Sequence, residues 1–194
     1  SGSMLVNFTG VNKNFNQSGG TLTNTQVNWN VNSGASLNLL TNLPVANLRT
    51  LTIDGTLNAS TLQVTGAGSV AINGTLISSN VNGIGATGTL ANTGAITLGA
   101  ASVVEFNAAG AETFTGRADY ANVIINGGGE KTLNGNATLS GNLTLTSGKV
   151  VLGANNLVVG GAINGATSSN YIVTDGAGTL TLNNIGAGAV TFPV

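Results

Sequence analysis

The residues with the greatest potential for chemistry are charged side chains that gather in one segment, residues 105–131. Paired carboxylates about 5 to 9.5 Å apart hydrolyse glycosidic bonds, and a calcium ion held by Asp or Glu beside a basic residue serves polysaccharide lyases. The segment contains Glu105, Glu112, Arg117, Asp119, Glu130 and Lys131.

The spacing of these residues matters only if a repeated winding of the chain brings distant positions together. The intervals from Glu112 to Glu130 and to Lys131 are 18 and 19 in the numbering, which is close to one turn of a coil built from short strands. We nevertheless expect the charged side chains to lie singly in loops or to form exposed ion pairs, which stabilise a protein by about 1 kcal/mol or less. No catalytic residue is therefore assigned.

No metal or cofactor site is assigned either. The chain has no His and no Cys. This excludes metal sites built from His or Cys, catalytic triads with His as the base, and Cys nucleophiles. Gly127-Gly128-Gly129-Glu130 lacks the Asp of a tandem calcium repeat. Gly148-Lys149-Val150 lacks the hydroxyl residue of a phosphate-binding loop. Calcium held by Asp175 and backbone carbonyls is an alternative left open.

The composition of the 194-residue chain excludes several further classes of protein. Five Lys and Arg against six Asp and Glu cannot build a face that neutralises phosphates, so no nucleic-acid partner is expected. No run of apolar residues is long enough to span a bilayer, so no membrane insertion is expected. With 41% hydrophobic residues and a net charge of −1, the chain must bury its aliphatic side chains rather than remain disordered.

Alternation of apolar and polar residues predicts short β-strands and no long helix. Leu51-Thr52-Ile53, Val70-Ala71-Ile72 and Leu143-Thr144-Leu145 have the period of two that places aliphatic residues on one face of a strand. Asn-Gly and Asp-Gly pairs separate such segments, and these residues adopt positive φ at low cost. The predicted fold class is all-β.

Internal repeats favour a right-handed parallel β-helix, or β-solenoid, over an antiparallel β-sandwich. Residues 50–57 are repeated at 69–76, an offset of 19, and residues 121–125 are repeated at 141–145, an offset of 20. In a β-helix with this period, about eight coils would form and each residue would stack on its counterpart one turn away. Asp54 is then expected to stack on Asn73. The right hand follows the crossover preference of parallel strands.

The scarcity of charge agrees with this fold. Only 6% of the residues are charged, against roughly 25% in an average soluble domain. Like charges stacked at the strand spacing of about 4.8 Å repel each other, whereas Asn, Thr and Ser can hydrogen-bond in ladders. A β-sandwich has no comparable reason to lack Lys and Glu on its outer faces.

The chain is expected to hold a single domain. Residues 1–4 have the composition of an expression-vector remnant, and residues 5–194 are interpreted as one β-solenoid domain cut from a larger protein. Phe8, Phe15 and Trp29 are expected in an irregular first coil that caps one end of the rod. Residues 190–194 are expected to form a last strand.

Two surface features suggest ligands. Thr50-Leu51-Thr52 and Thr144-Leu145-Thr146 place two hydroxyls on one strand face, an arrangement that binds ice when it is repeated regularly. The intervals between such segments are irregular, so ice binding is kept as an alternative only. Trp29, Tyr120 and Tyr171 are the aromatic residues that a sugar-stacking platform would use. Because they are far apart in the sequence, we expect them in the core or at coil ends.

Two segments in the second half of the chain have distinctive sequences. They are YANVIINGGGEKTL at residues 120–133 and GNLTLTSGKVVLGANNL at residues 141–157. Together with residues 171–180 and 190–194, they resemble recurrent segments of very large surface proteins of Bacteroidetes. The resemblance covers about residues 110–194. It implies an exported, adhesin-like protein in which the β-solenoid acts as a stalk or a binding surface, and it carries no set of functional residues.

From these observations we expect a non-enzymatic structural or adhesive segment of a secreted, cell-surface protein. Its partner would be an unidentified surface ligand, such as a glycan or another cell-surface protein, and the fragment would be monomeric. The alternatives are a carbohydrate-binding or polysaccharide-active β-helix and an ice-binding β-solenoid. Convergence of Glu105, Glu112 and Glu130 in one cleft, beside Arg117 or Lys131, would favour the polysaccharide-active alternative.

Overall fold

The computed structural model describes residues 3–22 and 26–184. These residues form 23 β-strands and no α-helix. All strand pairings in the described part are parallel, and each strand pairs with strands from neighbouring turns. This arrangement confirms the parallel β-helix and excludes the antiparallel β-sandwich. The right-handed winding stays a prediction, and the strand predicted at residues 190–194 lies outside the described residues.

The strands are short because turn residues interrupt them after two to five positions. In chain order they are β1 (Met4–Phe8), β2 (Lys13–Phe15), β3 (Val27–Val31), β4 (Ser36–Leu39), β5 (Leu43–Pro44), β6 (Thr50–Ile53), β7 (Thr56–Ser60), β8 (Val64–Gly66), β9 (Ser69–Ile72), β10 (Thr75–Ser78), β11 (Leu90–Asn92), β12 (Ile96–Leu98), β13 (Val103–Phe106), β14 (Glu112–Phe114), β15 (Asn122–Ile125), β16 (Glu130–Leu133), β17 (Ala137–Leu139), β18 (Leu143–Leu145), β19 (Lys149–Val151), β20 (Leu157–Val159), β21 (Ile163–Asn164), β22 (Ile172–Val173) and β23 (Leu180–Leu182).

The repeat offsets found in the sequence are the offsets between stacked turns. In the pairing of β6 with β9, Thr50 lies opposite Ser69, which is the predicted offset of 19. In the pairing of β15 with β18, Val123 lies opposite Leu143, which is the predicted offset of 20. The chain makes about nine turns, close to the eight that were expected.

One sheet continues through the described part of the rod. On the other faces, one set of sheets ends part-way along the rod and a second set begins. The continuous sheet has the order β2-β4-β7-β10-β13-β15-β18-β21. The flanking sheets are β1-β3-β6-β9-β12 and β5-β8-β11 in the first part, and β14-β16-β19-β22 and β17-β20-β23 in the second. Seven steps of about 4.8 Å make the continuous sheet roughly 34 Å long. This sheet therefore fixes the axis on which all other features are placed.

Aliphatic side chains stack in columns inside the coil. In the continuous sheet, one column of fully buried aliphatic side chains runs in register through six strands and continues to the half-buried Ile163. Burying one such side chain stabilises the fold by about 1.5 to 3 kcal/mol relative to leaving it exposed. The column consists of Leu37, Leu57, Leu76, Val104, Val123 and Leu143.

Aromatic residues fill the interior at two places. In the first coils, the ring centroid of Trp29 lies 6.1 Å from that of Phe8 and 5.6 Å from that of Phe15. These three aromatic residues therefore lie together at one end of the rod, as predicted. A second cluster was not predicted and lies where the flanking sheets change. There the ring of Phe114 lies 4.8 Å from Phe106 and 5.8 Å from Tyr120 between centroids.

Asparagine side chains connect the corners of successive turns. The backbone N–H of Asn142 donates to Oδ1 of Asn122 at 3.0 Å, and the N–H of Ala162 donates to Oδ1 of Asn142 at 2.8 Å. At another corner, Nδ2 of Asn73 donates to Oδ1 of Asp54 at 2.8 Å, which confirms the predicted stacking of this pair. The Asn122 and Asn142 amides thus give backbone N–H groups a partner at the strand ends.

Candidate functional site

Coil stacking brings Glu112 and Lys131 together inside the rod. They are register partners in the pairing of β14 with β16. The carboxylate Oε2 lies 3.6 Å from the Lys131 Nζ, and both side chains are fully buried. The proximity suggested by the sequence spacing is confirmed. The expectation of an exposed pair is wrong, because strand alternation turns both residues inward.

Backbone carbonyls surround the amine of Lys131. Its Nζ donates to the carbonyl oxygens of Ala108 at 2.6 Å, Gly128 at 2.7 Å and Gly110 at 3.2 Å. Gly128 belongs to three successive glycines with φ values of 75°, 86° and 61°, a left-handed backbone that other residues adopt at a cost. This glycine corner therefore turns a carbonyl toward the interior, where the amine needs an acceptor.

The two carboxyl oxygens of Glu112 differ in their hydrogen bonding. Oε2 accepts a hydrogen bond from the backbone N–H of Ala108 at 2.9 Å. Oε1 is buried and has no hydrogen-bond partner within the described residues. Burial raises the pKa of Glu112 to about 7, against the opposing effects of the Ala108 N–H and of Lys131. Burial also lowers the pKa of Lys131. The interior thus drives both partners toward their neutral forms.

The other carboxylates of the segment point away from this pair. Glu105 lies on the outer face of β13, where it accepts a hydrogen bond from Asn126 Nδ2 at 2.9 Å. Glu130 is exposed on the outer face of β16. Glu105, Glu112 and Glu130 therefore do not share a cleft, and the arrangement that would favour polysaccharide cleavage is not formed by these residues.

Arg117 and Asp119 form the expected exposed ion pair. The Arg117 Nε donates to Oδ1 of Asp119 at 2.8 Å, and Nη2 donates to Oδ2 at 2.7 Å. The side chain of Asp119 is 47% exposed. A pair in this setting stabilises the fold by about 1 kcal/mol or less, so it holds its loop and offers no chemistry of its own.

A second constellation lies on the outer face of the sheet that contains β16, β19 and β22. Glu130 lies opposite Lys149 on the next turn, and Lys149 Nζ lies 4.9 Å from the ring centroid of Tyr171. The interaction with Tyr171 raises the pKa of Lys149. Glu130 and Lys149 also line a groove with a cavity volume of about 320 Å³, which includes Asn170.

Sequence reasoning placed Tyr171 in the core or at a coil end and did not connect it with Lys149. The structure puts the two side chains in contact on the outside. Their separation along the chain is within the range of one turn, and this spacing is the signal that could have found the contact. Trp29 and Tyr120 are buried, as expected, at 6% and 1% exposure.

The threonines do not form a regular array on the continuous sheet. Thr144 lies on its outer face between Ile124 on one side and Asn164 on the other, in register with both. Ice binding requires hydroxyls repeated at the strand spacing, and this column alternates chemically different side chains. Nothing in the arrangement of Thr144 favours the ice-binding alternative.

The described part of the chain contains no group of three or more His, Cys, Asp or Glu residues placed to hold a metal ion. Asp175, the residue considered for calcium, is exposed. No helix within residues 3–22 and 26–184 has the length and apolarity needed to cross a membrane.

Comparisons with protein-family models, curated proteins and solved structures found no match.

The state of the buried carboxyl can be tested by the pH dependence of stability. In a Lys131→Met variant, Glu112 loses a partner that lowers its pKa, so its pKa in the folded state stays above the ordinary value of 4.5. The folded state then holds the proton more tightly than the unfolded state does. This stabilisation is fully present below about pH 4.5 and is lost as the pH rises through the folded-state pKa.

We expect the free energy of unfolding of Lys131→Met, measured with urea, to fall between about pH 4 and pH 8. At neutral pH the variant should also be less stable than the wild type, by about 1 to 3 kcal/mol, because buried polar groups around the amine lose their hydrogen-bond partner. The control is the double variant Glu112→Gln with Lys131→Met, whose stability should lack this fall. Equal pH profiles for the two variants would contradict the raised pKa.

Proposed function

We propose that the chain is a non-enzymatic structural segment of an extracellular surface protein, in which it acts as a stiff spacer. The observation that carries this proposal is the continuous eight-stranded sheet over an uninterrupted aliphatic column. Each turn contacts only its neighbours, so the length of such a rod is set by the number of turns. A spacer needs this property, and it needs no cleft.

The outer surface supports an extracellular setting. Asn, Thr and Ser supply many of its side chains, and only 6% of all residues carry charge. Interactions between exposed charges are screened by salt, with a Debye length of about 8 Å at physiological ionic strength. A fold that depends so little on surface charge keeps its stability when the salt concentration outside the cell varies.

The spacer function predicts tolerance of the loss of one whole turn. Leu57 and Leu76 are register partners, so deleting residues 57–75 leaves Leu76 in the place of Leu57 and preserves the pattern of buried side chains. Deleting residues 57–66 removes half a turn and brings strands of different sheets into register. The first deletion should preserve the fold and the second should abolish it.

The experiment labels cells of the source organism with an antibody against the chain. Intact cells that carry the wild-type gene or the 57–75 deletion should be labelled, and cells that carry the 57–66 deletion should not. Labelling of the wild type only after permeabilisation would contradict the surface location. Loss of labelling in the whole-turn deletion alone would contradict the spacer function.

A second candidate is carbohydrate binding, which the outer constellation of Glu130, Lys149 and Tyr171 favours. An aromatic ring, a cation and a carboxylate line up at Tyr171, Lys149 and Glu130, and sugars bind proteins through stacking on rings and hydrogen bonds to such polar groups. A ligand would stack on Tyr171 by displacing the Lys149 side chain from its ring. Binding, without turnover, is the activity that this geometry can support.

A glycan array tests the second candidate. The wild type should bind at least one class of glycan, and Tyr171→Ala should weaken that binding about tenfold or more because the stacking surface is lost. Thr181→Ala, on the outer face of β23, is the matched control and should bind as the wild type does. Absence of wild-type binding, or equal binding by Tyr171→Ala, would contradict a sugar site at this constellation.

A further inference from the structure

The buried Glu112–Lys131 pair is costly for a position that apolar residues could fill. On the following turns, the same inward column continues with Val150 and Ile172. Replacing a buried ion pair by well-packed apolar residues is often neutral or stabilising. A pair of ionisable groups in the core of a chain with so few charges therefore calls for a chemical explanation.

The two groups are held close to a reactive arrangement. Nζ of Lys131 lies 3.6 Å from Oε2 of Glu112, so the amine is in contact with the carboxyl group whose carbon, Cδ, it would attack. The strands that carry them are paired in register, so the backbone holds them together whenever the rod is folded. Phe114 and Leu133, the next inward residues of the same strands, are buried and keep water from one side.

The amine of Lys131 donates to three backbone carbonyls, as an ammonium group does. In the neutral form it has two protons, which the two shortest bonds, to Ala108 and Gly128, would use. Attack on a carbonyl carbon therefore requires loss of one proton and of the longest bond, to Gly110. Burial lowers the pKa of this amine, which increases the neutral fraction.

The carboxyl group of Glu112 is arranged as an acceptor of that attack. The Ala108 N–H donates to Oε2, and a donor at this oxygen stabilises the negative charge that develops on it during attack. Oε1 is buried, and the described residues hold no hydrogen-bond partner for it. It is the oxygen whose departure would cost the fold no hydrogen bond and would remove an unpaired polar atom from the core.

We propose that Glu112 and Lys131 condense to an intramolecular isopeptide bond that joins two successive turns of the β-helix. The lone pair of Nζ attacks Cδ of the protonated Glu112, and a C–N bond forms. The Cδ–Oε1 bond then breaks, and Oε1 leaves as water with one proton from the carboxylic acid and one from the amine. No oxidant, reductant or further reactant is needed.

The product fits the surroundings of the pair. The amide oxygen, formerly Oε2, keeps the Ala108 N–H as its donor. The remaining N–H on the nitrogen keeps one of the carbonyl acceptors, Ala108 or Gly128. The bond closes a covalent loop between residues 112 and 131, which spans one turn and restricts the unfolded chain.

The mass of the folded wild-type chain tests the proposal. After folding and incubation at neutral pH, electrospray mass spectrometry should give a mass lower than that of the sequence by one water molecule, about 18 Da. Tandem mass spectrometry after proteolysis should find a branched peptide linked through Glu112 and Lys131. The same chain held unfolded in guanidinium should keep the full mass and lose water only after refolding.

Variants separate this pair from other sources of water loss. Lys131→Arg keeps the charge but cannot form the bond, and Glu112→Ala lacks the carboxyl, so both should keep their full mass whether or not they fold. Glu130→Gln alters an exposed neighbour and should lose water as the wild type does. Full mass in the folded wild type, or water loss in Lys131→Arg, would overturn the proposal.

Discussion

The structure depends on the register between successive turns, because every residue has as its neighbours the residues one turn before and after it. The backbone ladder alone would accept a shift by one residue, but such a shift would turn the buried side chains outward. Leu57 sits between Leu37 and Leu76 in a fully buried column, and this column opposes any slip. At the corners, the Asn142 amide accepts the N–H of Ala162 and fixes the same register from outside the core.

The same constraint shapes the chemistry of the surface and the interior. Stacking in register disfavours charge on the outer faces, and six of the eleven charged residues lie within residues 105–131, near the place where the flanking sheets change. There, the register of β14 with β16 forces Glu112 and Lys131 into one interior position. Their shared burial favours neutral forms and encloses them with backbone groups as partners. The interior of the coil thereby holds two ionisable side chains next to each other, both fully buried.

The regular part of the fold could be predicted from the sequence, because the period is visible where turns have equal length. The offset of 19 between residues 50 and 69 gave the pairing of β6 with β9, and Asp54 meets Asn73 as expected. The burial of Lys131 was missed, although the sequence could have predicted it. Lys131 is two residues from the apolar Leu133, so both side chains lie on the same face of β16. The contact of Tyr171 with Lys149 was missed although their separation of 22 fits one turn, because Tyr171 was assigned to the core or a coil end and was not compared with the residue one turn before it. The change from the first pair of flanking sheets to the second pair depends on packing between turns, and local sequence does not encode this packing.

The central claim, that equivalent residues of successive turns stack in parallel register, can be tested most directly with cysteine pairs, because the natural chain has no Cys. Thr56 and Thr75 are outward-facing register partners, and strands about 4.8 Å apart place their Cα atoms within the range of about 4.4 to 6.8 Å that a disulfide spans. The pair Thr56→Cys with Thr75→Cys should therefore oxidise readily to an intramolecular disulfide. Ser36→Cys with Thr75→Cys, two turns apart on the same column, should stay reduced in the monomer. Rapid oxidation of the second pair, or failure of the first in folded protein, would contradict the stacked register.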